Sequence, residues 1–215
     1  MTRKKILQAI IDTGVIAIIR MTNVSRLMEV VEALRAGGIR CIEITLAVPK
    51  AAEIIKKLGT SSSLDILVGA GTVLDKKSAR QAIKAGAKYI VSPTLWPGMI
   101  EICDEYNVVS IPGAFTPTEI LKAWNAGADI VKVFPANAVG PQYIEDLRRP
   151  LPDLRLLPTS GITVDNAGDY IRVGACAVGI GAALTDPHLI ERGDFPTLTK
   201  MARRLAENIE RARRK

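Results

Sequence analysis

Short apolar runs alternate with longer amphipathic segments along the chain. Each run has the length of a strand, and each intervening segment carries apolar residues at helical spacing. Such alternation is typical of repeated βα units that build a parallel sheet. Eight runs are present, at residues 15–20, 39–46, 65–69, 88–92, 108–111, 129–134, 155–158 and 175–179. The pattern therefore predicts eight parallel strands connected by helices.

Tripeptides of small residues with a central glycine end four of the helical segments. They lie at residues 36–38, 85–87, 126–128 and 173–175, directly before the second, fourth, sixth and eighth runs. Glycine at such a position suits the left-handed conformation that closes a helix. The spacing predicts that a pair of βα units is repeated four times.

Eight βα units predict an α/β fold, the closed (β/α)8 TIM barrel. An open flavodoxin-like or Rossmann sheet is the rival, but the turn at residues 69–72 lacks the third glycine of a dinucleotide fingerprint. With 215 residues, 48% of them hydrophobic, the chain can bury one large core. We expect a single domain over residues 1–215, with an extra N-terminal helix at 1–13, the barrel at about 14–195 and a C-terminal helix at about 196–213.

The charge balance is basic, with 29 Lys and Arg against 22 Asp and Glu, a net charge of +7. A basic C-terminal segment can bind nucleic acid. However, Leu198, Met201, Leu205 and Ile209 recur there at helical spacing, so the charges belong to the solvated face of a docked helix. We therefore expect steering of anionic substrates and treat nucleic-acid binding as a minor alternative.

The chain shows no feature of a membrane or secreted protein. No apolar stretch approaches the length that spans a bilayer, and residues 1–12 lack a signal-peptide core and cleavage site. We expect a cytoplasmic protein without membrane contact. Cys41, Cys103 and Cys176 are widely spaced among apolar neighbours, which predicts buried core residues and neither disulfides nor zinc ligands.

One lysine, Lys132, lies inside the apolar run at residues 129–134. In a strand, Ile130, Lys132 and Phe134 share one face, and Val131 and Val133 share the other, so either face is apolar. A buried, unpaired ammonium is unfavourable, and a lowered pKa yields the neutral amine that can attack a ketone and form a Schiff base. The alternative is a structural lysine that reaches solvent from a strand end or pairs with a carboxylate.

Glu43 and Thr45 share one face of the second run, and that face should point into the barrel. Two roles are open for Glu43. It can neutralise Lys132 as a buried partner, or it can move protons as a general acid and base, and the two roles are compatible. In one dry pocket the two groups would titrate as a coupled pair.

Other polar residues also lie at predicted strand ends, where barrels of this type carry their active sites. They are Arg20, Thr72, Pro112-Gly113 and Thr159-Ser160-Gly161. The Arg20 guanidinium can hold a carboxylate through two parallel hydrogen bonds. The turns at residues 159–161 and 179–182 follow the seventh and eighth runs, where many barrels bind phosphate through main-chain N–H groups.

Two other reaction classes find no support in the sequence. His188 is the only histidine and belongs to a loop that leads into a helix, so we predict a surface residue. Ser92 and Ser160 therefore have no evident histidine partner for a serine-nucleophile hydrolase. The His, Cys and carboxylate residues are not clustered as in a metal-dependent aldolase, so we expect no metal and no other cofactor.

Several ordered motifs resemble the family of 2-keto-3-deoxy-6-phosphogluconate (KDPG) and 4-hydroxy-2-oxoglutarate aldolases. The resemblance extends from about Gly14 to Leu184, nearly the whole chain. The motifs that carry it are Glu43-Ile44-Thr45-Leu46, Val68-Gly69-Ala70-Gly71-Thr72-Val73, Ile111-Pro112-Gly113, Val131-Lys132-Val133-Phe134-Pro135, Pro158-Thr159 and Val139-Gly140-Pro141-Gln142-Tyr143-Ile144. The last of these is similar to a segment that also occurs in the 6-phosphogalactonate branch.

The resemblance implies a homotrimeric (β/α)8 barrel and a class I aldolase that needs no cofactor. Lys132 would form the Schiff base and Glu43 would shuttle protons. The substrate pocket would be formed by Arg20, Thr45, Thr72, Pro112, Gly113, Phe134 and Thr159, and the phosphate site by Ser160, Gly161, Gly181 and Ala182.

This chain departs from the family pattern at both ends of the substrate. One branch carries an arginine four residues after the glutamate, where this chain has Ala47, so the carboxylate is assigned to Arg20, as in another branch. At the phosphate end, Ser160 stands where the family usually has glycine, and Ala182 replaces a common serine. Main-chain donors can still bind a phosphate there.

These residues predict reversible cleavage of a 4-hydroxy-2-oxo acid into pyruvate and an aldehyde, glyceraldehyde 3-phosphate for the phosphorylated substrate. The alternatives are an unphosphorylated 2-keto-3-deoxy acid or 4-hydroxy-2-oxoglutarate as substrate, or an imine-free sugar-phosphate isomerase or epimerase. A non-catalytic, nucleic-acid-binding barrel is a third possibility.

Overall fold

The computed structural model describes residues 1–61 and 64–214 and forms an α/β fold around a parallel, curled sheet. Residues 62, 63 and 215 of the expected domain lie outside this described part. The helices are α1 (Arg3–Thr13), α2 (Leu27–Ala36), α3 (Ala51–Thr60), α4 (Lys76–Lys84), α5 (Met99–Glu105), α6 (Pro117–Asn125), α7 (Gly140–Arg148), α8 (Ala167–Arg172), α9 (Pro187–Arg192) and α10 (Phe195–Arg213).

The strands follow the predicted runs in order. They are β1 (Val15–Ile19), β2 (Cys41–Thr45), β3 (Leu67–Gly71), β4 (Tyr89–Val91), β5 (Val109–Ile111), β6 (Gly113–Ala114), β7 (Val131–Val133), β8 (Leu156–Pro158) and β9 (Val178–Ile180). A six-stranded sheet has the order β5-β4-β3-β2-β1-β9, and a three-stranded sheet has the order β6-β7-β8. Neighbouring strands in both sheets run parallel to each other.

Hydrogen bonds connect the two sheets at both of their ends. Only Pro112 separates β5 from β6, and proline has no N–H to donate to a ladder, which explains the interruption there. The Pro112 carbonyl still accepts a hydrogen bond from the Lys132 N–H at 2.9 Å. At the other end, the Cys176 N–H donates to the Leu156 carbonyl at 3.0 Å, and Thr159 forms a parallel bridge with Gly179.

For two of the strands that begin later than their apolar runs, the structure shows the cause. Asp65 has a φ of 43°, a left-handed conformation that a strand cannot contain, so the third strand starts at Leu67. The Ala175 N–H donates to the Tyr170 carbonyl and closes α8, so the last strand starts at Val178. The predicted bounds of these two runs were therefore wrong, although their order along the chain was right.

The glycine motifs adopt the predicted left-handed conformation. One glycine in each tripeptide has a positive φ, namely Gly38 at 95°, Gly86 at 105°, Gly127 at 97° and Gly174 at 98°. A side chain with a Cβ rarely adopts these angles. The tripeptides therefore turn the chain sharply from a helix into the next strand, as their sequence predicts.

Strand alternation divides the apolar residues into two clusters. The larger cluster lies between the strands and the helices and includes Val131 and Val133. The smaller cluster lies inside the curl and contains Ile6, Ile10, Ile16, Cys41, Tyr89, Val91, Val109, Ile111, Ile130, Leu157 and Ala177. Helix α1 contributes Ile6 and Ile10 to it and contacts β1, β2 and β5. The inner cluster thus joins this helix to strands from both sides of the curl.

The ends of the chain also pack onto the fold. Helix α10 contacts α2 and α8, and Leu198, Leu205 and Ile209 are buried on its inner side. Cys41 and Cys103 are buried, whereas Cys176 is half-buried, and all three are free thiols. No helix in the described part of the chain is long and apolar enough to span a membrane.

Replacing Ile10 with Ala tests whether α1 belongs to the core. Ile10 is fully buried, so the loss of its aliphatic groups should lower the free energy of unfolding by about 2–5 kcal/mol. Urea unfolding followed by circular dichroism measures this change. Lys4 is exposed on the same helix, and Lys4→Ala should change the free energy by less than about 0.5 kcal/mol. Equal effects of the two substitutions would contradict the core role of α1.

Candidate active site

The inward face of the curled sheet changes from apolar to polar along the strands. On β2, Cys41 belongs to the inner apolar cluster, and Glu43 and Thr45 follow on the same face. On the sixth run, Ile130 belongs to that cluster and Lys132 follows. The polar groups therefore gather toward the C-terminal ends of the strands, the end at which parallel α/β barrels carry their active sites.

A cavity of about 460 Å³ lies at this end. Eleven of the predicted site residues line it, namely Arg20, Glu43, Thr45, Thr72, Lys132, Phe134, Thr159, Ser160, Gly161, Gly181 and Ala182. These residues come from most of the strands and are far apart in the sequence. The fold therefore brings the predicted substrate and phosphate residues into one cavity.

Pro112 and Gly113 lie beside this cavity and not on its wall, as far as the described residues define the lining. Gly113 pairs with Lys132 in the parallel register, and the Pro112 carbonyl accepts the Lys132 N–H. A Cβ on Gly113 would lie 2.3 Å from the main-chain carbonyl of Pro93. These two residues therefore support the strand that carries Lys132 and let the neighbouring loop approach it.

The Glu43 side chain extends into space that is free because Gly71 on β3 has no side chain. A Cβ on Gly71 would lie 1.7 Å from the Glu43 Oε1 atom and 2.3 Å from its Cδ atom. Any other residue at position 71 would displace the carboxyl group. Only 2% of the Glu43 surface is exposed, so this carboxyl group is held in a nearly dry position.

Lys132 is also buried, with 6% of its surface exposed. Burial lowers the pKa of Lys132, the Glu43 carboxylate opposes this effect, and the Arg20 cation adds to it. Burial raises the pKa of Glu43, while Lys132 and Arg20 both oppose that increase. Both shifts favour the uncharged forms of the two groups.

An aromatic ring lies beside the Lys132 amine. The Nζ atom is 5.2 Å from the centroid of the Phe134 ring, and both residues line the cavity. The face of an aromatic ring at this distance attracts a cation, so the ring favours the charged form of the amine.

Arg20 is held in the cavity by Thr72. The Arg20 Nη2 atom donates a hydrogen bond to the Thr72 Oγ1 atom at 3.3 Å. Thr72 has a φ of 57°, which is unusual for a β-branched residue and is found where the surrounding structure enforces it. This conformation turns the Thr72 hydroxyl toward Arg20 and orients the guanidinium at the cavity wall.

Two buried hydroxyl groups on the cavity wall have no hydrogen-bond partner among the described residues. They are the Oγ1 atoms of Thr45 and Thr159. A Cβ on Gly179 would lie 2.3 Å from the Thr159 hydroxyl oxygen, so this glycine leaves room for it. Both hydroxyls therefore lack the hydrogen-bond partner that a buried polar group usually has.

Sequence reasoning missed two residues of this region. Thr185 is buried and lines the cavity, but it lies beyond the glycine turn that follows the last strand. Asn137 lies behind the cavity, where its Oδ1 atom accepts a hydrogen bond from the Ser160 hydroxyl at 2.8 Å. Asn137 closely follows the Val131–Pro135 motif, but no sequence signal pairs it with a residue 23 positions away.

A second cavity of about 510 Å³ adjoins the first and shares Arg20, Thr185 and Pro187 with it. Ala47 lines this second cavity. Position 47, where one branch of the resembled family carries an arginine, therefore brings no guanidinium to the cavity here. Arg20 is the arginine that lines both cavities.

Two further predictions concern the surface and metals. His188 is exposed at the start of α9, as the sequence predicts. Within residues 1–61 and 64–214, no three His, Cys, Asp or Glu side chains lie close enough together to hold a metal ion.

Comparisons with known proteins agree in one family. The family model described as KDPG and KHG aldolase matches residues 6–201. A 2-dehydro-3-deoxy-phosphogluconate aldolase of Treponema pallidum is 36% identical over 208 residues, which are 95% of this chain and 97% of that protein. A KHG/KDPG aldolase of Escherichia coli is 30% identical over 205 residues, which are 94% of this chain and 96% of that protein.

A solved structure agrees with this result. The crystal structure of KDPG aldolase from Legionella pneumophila, with pyruvate captured at low pH as a covalent carbinolamine intermediate, has a TM-score of 0.85 to this chain. The two sequences are 26% identical, and the match covers 93% of this chain and 97% of that chain. Family model, relatives and structure all extend over nearly the whole sequence. The chain therefore belongs to the KDPG and KHG aldolase family, a family of aldehyde-lyases.

Proposed function

We propose that this chain is a class I aldolase that cleaves a 4-hydroxy-2-oxo acid through a Schiff base on Lys132. The observation that carries the proposal is a buried lysine, with a pKa lowered by burial, beside the Glu43 carboxyl group in one cavity. A neutral amine is the nucleophile that attacks a ketone. The carbinolamine in the Legionella aldolase is the first product of such an attack.

The chemistry requires a covalent bond between Lys132 and the substrate. The Nζ lone pair attacks the C2 carbonyl carbon and forms a carbinolamine, which loses water and becomes a protonated imine. When the C3–C4 bond breaks, its electron pair moves into the imine and forms an enamine. Protonation of C3 and hydrolysis then release pyruvate and restore the free amine.

Glu43 supplies and removes the protons in this cycle. Its carboxylate takes the proton of the C4 hydroxyl group when the aldehyde forms, and the resulting acid protonates C3 of the enamine. Burial raises the pKa of Glu43, so one carboxyl group can serve as both base and acid. Gly71 leaves the space that brings this carboxyl group into the cavity.

The remaining polar groups bind the substrate. Arg20, oriented by Thr72, holds the C1 carboxylate through charged hydrogen bonds. Thr45 and Thr159 form part of the wall of the substrate pocket, and Phe134 packs against the carbon chain of the substrate. Pro112 and Gly113 act through the backbone of Lys132, because they pair with it and do not line the cavity.

The distal end of the substrate is assigned to the turns after β8 and β9. Ser160, Gly161, Gly181 and Ala182 line this part of the cavity and offer main-chain N–H groups to a phosphate. We therefore propose a 2-keto-3-deoxy-6-phospho sugar acid as substrate, with pyruvate and glyceraldehyde 3-phosphate as products. Because Ala182 has no hydroxyl group, an unphosphorylated 2-keto-3-deoxy acid or 4-hydroxy-2-oxoglutarate is the second candidate. The ratio of kcat/KM for the phosphorylated and unphosphorylated acids decides between them.

We further propose that the strands close into a (β/α)8 barrel and that the whole chain is one domain. The contacts between β8 and β9 and the continuation of β5 into β6 support closure. The resemblance also implies a homotrimer, and sedimentation equilibrium measures the number of subunits directly. A monomer in that experiment would contradict the trimer without affecting the proposed chemistry.

Replacing Lys132 with Met removes the amine and keeps an unbranched side chain of similar length. We expect no pyruvate adduct after borohydride reduction and a fall in aldol cleavage of at least about 10⁴-fold, because the covalent intermediate cannot form. Intact-mass measurement and peptide mapping of the unmodified protein locate the adduct. Lys88→Met, at an exposed lysine, is the matched control. A borohydride-stable adduct in Lys132→Met, or no adduct in the folded unmodified protein, would refute the assignment and favour an imine-free isomerase.

Two substitutions should move the pH dependence of adduct formation in opposite directions. Glu43 raises the pKa of Lys132, so Glu43→Gln should shift the half-maximal rate of pyruvate trapping to lower pH. Arg20 lowers the same pKa, so Arg20→Gln should shift it to higher pH. The measurement is the rate of cyanoborohydride trapping across a pH series.

The same variants separate binding from proton transfer. Glu43→Gln should lower kcat for cleavage by about 10²–10⁴-fold, the usual contribution of a general acid and base. Arg20→Gln should weaken pyruvate binding about tenfold to a hundredfold, because a charged hydrogen bond is lost. Arg203→Gln removes the same charge on the exposed side of α10 and is the control. Shifts in the same direction would contradict the proposed electrostatic roles.

A further inference from the structure

Hydrogen bonds to the side chains of two asparagines hold the turn after β8 at the cavity wall. The Ser160 hydroxyl donates to the Asn137 Oδ1 atom at 2.8 Å. The Asn166 Nδ2 atom donates to the Gly161 carbonyl at 2.9 Å. Asn166 belongs to the same loop, whereas Asn137 comes from the 3-10 turn Ala136–Ala138 that follows β7. Asn137 therefore provides the side-chain bond between the loop of the catalytic lysine strand and the predicted phosphate turn.

The turn needs this support because its backbone is unusual. Ser160 has a φ of 86° and Gly161 has a φ of 72°. Glycine adopts such angles readily, but serine is disfavoured there and remains only where its surroundings hold it. The hydrogen bond to Asn137 is the side-chain contact that holds Ser160 in this conformation.

Asn137 also packs directly against the second residue of the turn. A Cβ on Gly161 would lie 2.4 Å from the Asn137 Cβ atom. The exposed Asn137 thus contacts both left-handed residues, while Ser160 and Gly161 line the cavity. In the described part of the chain, the Gly161 N–H has no protein acceptor, so it is available to a ligand in the cavity.

We propose that Asn137 is a positioning residue that determines how well the enzyme binds the anionic distal group of its substrate. It contacts no substrate itself. It fixes the conformation of Ser160 and Gly161, and with it the direction of the main-chain N–H groups that bind the anion. This inference rests on the proposed aldolase function and adds a specificity determinant to it.

The proposal distinguishes two substrates of the same enzyme, the phosphorylated acid 2-keto-3-deoxy-6-phosphogluconate and its unphosphorylated form. Asn137→Ala should raise KM for the phosphorylated acid about three- to tenfold, the change expected for one hydrogen bond. It should leave kcat within about twofold and leave KM for the unphosphorylated acid unchanged, because that substrate carries no distal anion. The measurement is steady-state kinetics of pyruvate release, and Asn125→Ala, at an exposed asparagine on α6, is the matched control.

A rescue variant tests the physical reason. In the Asn137→Ala background, Ser160→Gly places a residue that tolerates a φ of 86° where serine needs support. The double variant should recover most of the lost affinity for the phosphorylated acid. Ser160→Ala removes the donor of the same hydrogen bond. If Asn137→Ala does not fold, Ser160→Ala takes its place in the comparison of the two substrates.

Pyruvate trapping separates failure of this inference from failure of the proposed function. Pyruvate lacks a distal group, so Asn137→Ala should form the Lys132 adduct at the same rate as the unmodified protein. Absence of an adduct in the unmodified protein would refute the aldolase function. With the adduct present, three results would overturn the role of Asn137: equal changes for both substrates, no change for either, or no preference of the unmodified enzyme for the phosphorylated acid.

Discussion

The site depends on burying an amine and a carboxyl group in the same dry interior. Neither Lys132 nor Glu43 is favourable there as an isolated charge, since burial opposes the charged form of each. Together they reduce this cost, because each opposes the pKa shift that burial causes in the other. The inner apolar cluster and helix α1 fill the other end of the curl and keep the pair away from water on that side.

The position of the pair follows from missing side chains on β3. Gly69 and Gly71 face the same interior, and a Cβ at Gly69 would lie 2.1 Å from the Tyr89 ring. The ring fills the lower part of the space, and the Glu43 carboxyl group fills the upper part beside Gly71. Packing and chemistry are therefore linked through one strand, because a side chain at either position would displace a core ring or a functional carboxyl group.

Local patterns in the sequence were sufficient to predict the strand order and the faces of Lys132 and Glu43. Period-two alternation places Ile130 and Lys132 on the same face, and the structure shows that this is the inner face, because Ile130 belongs to the inner cluster. The start of β3 was not predictable in this way, since the left-handed φ of Asp65 leaves no trace in the apolar pattern. The bond between Asn137 and Ser160 was also hidden, because it depends on contact between two separate loops.

In the proposed mechanism, Arg20 links substrate binding to the charge of the Lys132 amine. In the free site its cation lowers the pKa of Lys132 and so favours the neutral nucleophile. In the proposed complex, a substrate carboxylate bound to Arg20 would neutralise that cation and remove its repulsion of a second positive charge nearby. A protonated imine on Lys132 would then lie near the Glu43 carboxyl group and the bound carboxylate, which are both negative when ionised. In the proposed mechanism, the same arginine would therefore favour a neutral lysine before binding and permit a cationic imine afterwards, which a neutral hydrogen-bond donor at this position could not do.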